Sequence, residues 1–295
     1  MSHIAYVNGR YLPQKHAQIH IEDRGHQFAD GVYEVICIWH GRPADYTAHI
    51  ARLNRSLREL AIRPPVSNAA LAFIVKEVVG RNRLDKGTVY IQINRGVAPR
   101  AHVFPGAAVK PSLIVTAKHG AGPADAVARA GVKVITLPDT RWKRCDIKSV
   151  GLLPNALAKQ AAAEAKAYEA LLLTPEGTVT EASVSNAWMV TPERTIVTHP
   201  ATSSILAGVT RGRVLKIARE AGYVVEERPF TLAEALKAKE VFLTGTTTFV
   251  MPVVRIDEQP VANGVPGTVA CELRQRYQDY IDSLTADVSG SAWDA

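Results

Sequence analysis

Residues 32–39 read VYEVICIW and residues 47–62 read TAHIARLNRSLRELAI. The first run is β-branched and apolar, the pattern of a buried strand. The second places Ile50, Leu53, Leu57 and Leu60 at helical spacing, with Arg52, Arg55 and Arg58 on or near other faces. This alternation of strand and helix continues in both directions. Leu71, Ile74, Val75, Val78 and Val79 predict a helix over 69–79, which Gly80 can end. TVYIQINR (88–95) alternates as a strand, and SLIVTA (112–117) reads as another. The stretch HGAGPADAVA (119–128) is rich in Gly, Ala and Pro and reads as a linker, which puts a domain boundary near residue 122. Beyond it come a strand at 132–136, an alanine-rich helix at 155–168 and strands near 169–174, 178–181, 186–191 and 194–198. A helix over 209–221 closes at Gly222. Thr231 and Glu234 can form a capping box, EVFLTG (240–245) is a strand, and 268–284 is an amphipathic helix. The expected class is α/β (mixed α+β). A small N-terminal α/β domain spans 1–121, a larger C-terminal domain spans 122–285, and 286–295 is a flexible tail.

A chain of 295 residues is long enough for a substantial core. Its 47% hydrophobic and 21% charged residues are an ordinary globular mix, which argues against disorder and coiled coil. No run approaches the roughly 20 apolar residues of a membrane span, and the N-terminus lacks the charged and apolar pattern of a secretory signal. Cys37, Cys145 and Cys271 lie too far apart for a disulfide framework or a zinc pattern, so no metal is expected. A cytoplasmic location fits this cysteine usage. The net charge of +7 comes from scattered Lys and Arg with no basic tract interleaved with aromatics, so no nucleic-acid partner is expected. Spare cations suit a small anion better.

Five segments can carry chemistry. Lys148, in RWKRCDIKSV (141–150), lies in a semi-apolar stretch beside Arg141 and Arg144. Such surroundings lower an amine's pKa, as imine formation requires. Glu181, in TVTEASVSN (178–186), is a carboxylate at a strand end that can keep a ring nitrogen protonated. The run from Ser204 to Arg211 leads into a helix whose Val209 and Thr210 N–H groups would face an anion, and Thr244–Thr248 offers hydroxyls around Gly245. Arg100 and His102, with small Ala101 between them, can present donors to a carboxylate. Tyr33 and Val35 share one strand face. Singly, each segment also fits a plain role: solvated lysine, edge glutamate, capped turn, basic loop or core tyrosine.

Together and in this order the segments resemble the fold-type IV (class IV) pyridoxal-phosphate aminotransferases. DRGHQFADGVYEV (23–35), HIARL (49–53), RGVAPRAH (95–102), RWKRCDIKSV, TVTEASVSN, THPATSSILAGVTR (198–211) and FLTGTTT (242–248) carry the likeness, over about residues 3–284. The Arg-Ala-His loop with GVYEV points to the D-amino-acid branch. The resemblance implies a two-domain architecture with the cofactor site between the domains, and pyridoxal 5′-phosphate as cofactor. It implies that Lys148 is the Schiff-base lysine and proton shuttle, and that Glu181 is the partner of the pyridine nitrogen. Arg52, Val209, Thr210 and Thr246 match the phosphate site and Leu206 the residue against the ring. Ser183, Ser185 and Asn186 match the polar support behind Glu181. Tyr33, Val35, Arg100, His102 and Thr247 fall on the substrate side, and a homodimer is implied in which Arg100 and His102 reach the neighbouring subunit's site. D-amino acids and 2-oxo acids are the implied small-molecule partners. Cys37, Val184 and Gly245 depart from the family's usual residues and bear on side-chain preference, and the role of Arg141 stays open. The rival activities of the same fold are branched-chain L-amino-acid aminotransferase, aminodeoxychorismate lyase and (R)-amine transaminase. A cofactor-free binding protein is the rival of another class.

Overall fold

The computed structural model describes residues 3–120 and 125–284. The chain divides into one unit of Met1–Ala121, Ile147–Gly151 and Ile281–Ala295, and a second of Gly122–Asp146 and Leu152–Tyr280. The segment around Lys148 thus groups with the first unit, although its sequence neighbours belong to the second. The boundary expected near 122 and the tail at 286–295 lie outside the described residues.

The first unit contains strands β1 (Ile4–Val7), β2 (Arg10–Pro13), β3 (Gly31–Trp39), β4 (Arg42–Pro43), β5 (Gly87–Asn94) and β6 (Ser112–His119), with helices α1 (Arg24–Phe28), α2 (Tyr46–Glu59) and α3 (Asn68–Arg81). The strands form one antiparallel sheet in the order β2-β1-β6-β5-β3-β4. Alternation along β3 sends Val32, Glu34, Ile36 and Ile38 to one face and Tyr33, Val35 and Cys37 to the other. Ile36, Ile38, Ile91 and Ile93 pack with Ile50, Leu53 and Leu57 of α2 and with Val75 and Val78 of α3 in a single core. Each fully buried Ile or Leu contributes about 1.5–3 kcal/mol there.

Two helix ends differ from expectation. α2 stops at Glu59, and Ala61 takes a left-handed φ of 50°, so residues 60–62 turn away from the helix. α3 runs through Gly80 and closes at Asn82. The Asn82 amide donates to the carbonyls of Val78 (2.7 Å) and Ile4 (2.8 Å) and accepts from the Ile4 N–H. A side chain that satisfies a terminal carbonyl and ties the helix to β1 outweighs glycine's preference for an end.

The second unit contains α4 (Asp125–Ala130), β7 (Val132–Pro138), α5 (Leu153–Glu164), β8 (Glu169–Leu173), β9 (Thr178–Ala182), β10 (Asn186–Val190), β11 (Ile196–Thr198), α6 (Val209–Glu220), β12 (Val225–Glu227), β13 (Phe230–Thr231), α7 (Leu232–Lys237), β14 (Glu240–Gly245), β15 (Phe249–Ile256), β16 (Gln259–Pro260) and α8 (Thr268–Ser283). Its sheet is mixed, in the order β12-β11-β10-β14-β15-β7-β8-β9-β13, with β16 beside β15. Parallel pairing occurs at β11/β12, β15/β7 and β7/β8. The expected capping box is present: Thr231 Oγ1 accepts from Glu234 N and the Glu234 carboxylate accepts from Thr231 N.

Two expectations need correction here. The stretch 119–128 is not wholly linker, because α4 starts at Asp125. α5 ends at Glu164 rather than 168, since Lys166 turns left-handed at φ 53° and the chain enters β8. β15, at the middle of the sheet, forms although Pro252 interrupts its apolar run. Pairing with β7 begins only at Val253 and shifts register before Arg255, so the residue without an N–H lies outside that ladder.

Candidate active site

In the first unit, Lys148 is positioned by its backbone. Tyr33 N donates to Lys148 O (3.0 Å), Val150 N to Gly31 O (3.0 Å) and Lys148 N to Ser56 Oγ (3.3 Å). Neighbouring Ile147 is buried in the core of the first unit. The strap therefore lies beside the N-terminal end of β3, and Lys148 Nζ stands 4.2 Å from the centre of the Tyr33 ring. Tyr33 stacks on Tyr90 of β5 at 5.5 Å. Burial, then the neighbouring Tyr33, push the Tyr90 hydroxyl up to about 12. Val35 follows Tyr33 on the same half-buried face, while Cys37, next in line, is buried.

Behind that face lies a buried ionic cluster. Arg52 of α2 donates through Nε and Nη2 to the two Glu34 carboxylate oxygens at 2.7 and 2.8 Å, and His49 Nδ1 lies 2.7 Å from Oε2. Burial alone would raise the Glu34 carboxyl. The Arg52 guanidinium and His49 overcome it and hold the group at about 2. Ionised Glu34 therefore stabilises the fold at neutral pH, and that contribution is lost as pH falls from 4.5 towards about 2. Wild type is expected to lose melting temperature more steeply over that window than Glu34→Gln. Parallel pH profiles of the two proteins would remove Glu34 as the source.

Arg100 and His102 are exposed on the segment after β5. The Arg100 guanidinium lies 5.0 Å from the centre of the Phe28 ring, and the His102 ring 5.4 Å from it.

In the second unit, Glu181 near the end of β9 is buried and clasped. It accepts from Arg141 Nη1, from Asn186 Nδ2 (2.9 Å) and from the Leu206 N–H at 3.2 and 3.3 Å. Arg141, whose role was open, is itself held by Asp139, which accepts from its Nε (2.9 Å) and Nη2 (2.7 Å). Burial would raise the Asp139 carboxyl, but hydrogen bonds from Arg141 and Thr180 hold it below the ordinary carboxylate range.

Asn186 thus donates to Glu181, whereas the Ser183 and Ser185 hydroxyls turn to another carboxylate. Their hydroxyls donate to Glu169 (3.2 and 2.8 Å), which also accepts from Val184 N. Burial pushes the Glu169 carboxyl up, against those donors and Lys159. Ser185 Oγ also lies 3.2 Å from Thr248 Oγ1, so this cluster braces the turn that carries half-buried Thr246 and exposed Thr247.

α6 begins at Val209 and Thr210 with Gly208 as N-cap, which has no side chain to occupy the first N–H groups. Such a helix start is suited to an anion. Any Cβ at Gly208 would overlap Asn186 Oδ1. Gly208→Ala is therefore expected to push Asn186 off Glu181 and to cost about 1–3 kcal/mol of stability. A melting temperature within about a degree of wild type would show that the contact relaxes freely.

A family model of amino-transferase class IV matches residues 31–256. The chain belongs to amino-transferase class IV. It is 43% identical to D-alanine aminotransferase of Bacillus licheniformis, over 95% of this chain and 97% of that one. It is 37% identical to D-alanine aminotransferase of Staphylococcus aureus (strain COL), over 94% and 98%. Among solved structures, a T.th. branched-chain amino acid aminotransferase with pyridoxamine 5′-phosphate superposes at a TM-score of 0.88 with 29% identity, covering 99% of this chain and 98% of that one. The expected fold class and family are correct.

Glu34, His49, Asp139 and Glu169 support this class IV site without standing out as candidates in the sequence. One signal was available. Glu34 sits on the apolar face of an otherwise core strand, 15 and 18 residues before a His and an Arg that share one helix face. Asp139 and Glu169 carried no comparable mark. Among the described residues no group of His, Cys, Asp or Glu could hold a metal, and no helix is long and apolar enough to cross a membrane.

Proposed function

We propose that this enzyme transfers the amino group of D-amino acids to a 2-oxo acid of the pyruvate or 2-oxoglutarate type, with pyridoxal 5′-phosphate as cofactor. The observation that carries this reading is the 43% identity, across nearly the full length of both chains, to a D-alanine aminotransferase. The residues present fit the cofactor. Glu181 is a buried carboxylate clasped from behind, suited to a protonated ring nitrogen, and the Leu206 N–H is one of its donors. Val209, Thr210, Thr246 and Arg52 are assigned to its phosphate and Lys148 to its carbonyl carbon.

When bound, the cofactor supplies an electron sink for charge left at the substrate Cα. The chain supplies the rest. Arg100, His102 and Tyr33 hold the substrate carboxylate and set which Cα bond is broken. Lys148 Nζ takes the Cα proton as general base and would deliver it to the cofactor's carbonyl-derived carbon, not back to Cα. Val35 and Thr247 border the side chain. We assign a cytoplasmic location and a homodimer in which Arg100 and His102 serve the neighbouring subunit. The exposure of Val103 (80%) and Phe104 (57%) beside them supports such a contact.

The test is a half-reaction without acceptor. D-alanine should discharge the cofactor's long-wavelength absorbance band and L-leucine should not. Discharge by L-leucine alone would move the enzyme to the branched-chain group. No discharge by either would favour the lyase or amine-transaminase activities.

A further inference from the structure

The loop that bears Arg100 and His102 stands on one ring. Phe28, the last residue of α1, has the Arg100 guanidinium 5.0 Å from its centre and the His102 ring at 5.4 Å. A third group meets the same ring: the Arg24 guanidinium, at 4.7 Å. Arg24 is buried, donates through Nε to Asp30 (2.7 Å), and donates through Nη1 to the carbonyl of Ala101, the residue between Arg100 and His102. The start of the loop is tied to the same place, because Asp30 also accepts from Arg95 at 2.7 and 3.0 Å. One aromatic ring and one carboxylate paired with two buried arginines thus fix the backbone between the two donors and the direction of both side chains. Arg and His on separate flexible stems would lose rotamer freedom on meeting a carboxylate, whereas side chains already resting on a ring lose less.

We propose that Phe28 is a specificity-positioning residue that sets Arg100 and His102 for the substrate carboxylate. It acts through those two residues and not on the reacting atoms. The inference rests on the assignment of Arg100 and His102 to that carboxylate.

The experiment is a double-mutant cycle between Phe28→Leu and Arg100→Ala in the cofactor-loaded enzyme. KM and kcat for D-alanine are measured alongside melting temperature and cofactor absorbance. Phe28→Leu should raise KM about tenfold, the size of one or two cation–π contacts, with kcat changed less than about threefold. Phe28→Tyr, which keeps the ring, should stay near wild type. In the Arg100→Ala background, Phe28→Leu should lose a large part of its effect, because one of the two groups it positions is gone and only His102 remains. Full additivity of the two changes, or an unaltered KM in Phe28→Leu beside a crippled Arg100→Ala, would overturn the positioning role and leave the carboxylate assignment standing. An unaltered KM in Arg100→Ala would overturn both. If Phe28→Leu does not fold, Phe28→Met keeps the bulk without the ring and answers the same question.

Discussion

Lys148→Ala is expected to lower kcat by about three orders of magnitude or more while leaving the fold intact. The strap that carries Lys148 is held by backbone bonds to Tyr33 and Gly31 and by burial of Ile147, none of which needs the lysine side chain. Nζ stands over the Tyr33 ring, a contact of about 0.5–1 kcal/mol at a half-exposed site. Losing it should barely move the melting temperature. The chemistry has no substitute for it: of the described side chains, only this amine is assigned both to the cofactor and to the proton. Borohydride treatment of wild type, followed by digestion, should leave the cofactor mass on the peptide that contains Lys148. Lys148→Ala should give no such peptide. Wild-type turnover by Lys148→Ala would sink the assignment of the nucleophile and of the proton shuttle together.

The features legible in the sequence are local ones. VYEVICIW announces β3 because β-branched residues fill both faces of a strand that is half-buried on one side and fully buried on the other. Ile50, Leu53 and Leu57 announce α2 because they must share the stripe that meets the sheet. The Thr231 and Glu234 capping box is reciprocal within one helical turn, so it could be read directly. Asn82 is different. It ends α3 by bonding to Ile4, 78 residues away, and nothing near Gly80 reveals that. β15 carries Pro252, and proline argues against a central strand. Only the register places it: Pro252 is paired with Phe242 of β14 and lies outside the ladder with β7.

The site divides along the same line. Lys148, Glu181 and the helix start at Val209 stand in short segments whose chemistry can be read singly and whose order resembles a family. Their supports cannot be read this way. Ser183 and Ser185 alternate with Val184 near Glu181 in sequence, yet both hydroxyls reach Glu169, 14 and 16 residues back on β8. Both serines stand in the bend between β9 and β10, which the Ser183 N–H holds to the Ala170 carbonyl of β8 (2.9 Å) and the Ala182 N–H holds to the Ser185 carbonyl (2.7 Å). Arg141 shows the converse. Its sequence position leaves its role open, and its guanidinium is taken up by Asp139 and Glu181.

Glu181→Gln is expected to lower kcat about a hundredfold or more. An ionised carboxylate holds a proton on a ring nitrogen, and a neutral amide does not. The change also disturbs the clasp, because the new NH2 must face Arg141 or Asn186, both donors. One buried donor left unmatched costs about 1–3 kcal/mol. Arg141 keeps Asp139 as its counter-ion, which limits the damage to the fold. The two effects therefore separate: lost charge appears in kcat and the lost hydrogen bond in melting temperature. Glu181→Asp keeps the charge and shortens the reach, so it should lose stability while retaining more turnover than Glu181→Gln. If Glu181→Gln instead kept wild-type kcat and lost only stability, Glu181 would be no more than a counter-ion for Arg141. The carboxylate that serves the ring nitrogen would then have to be sought elsewhere.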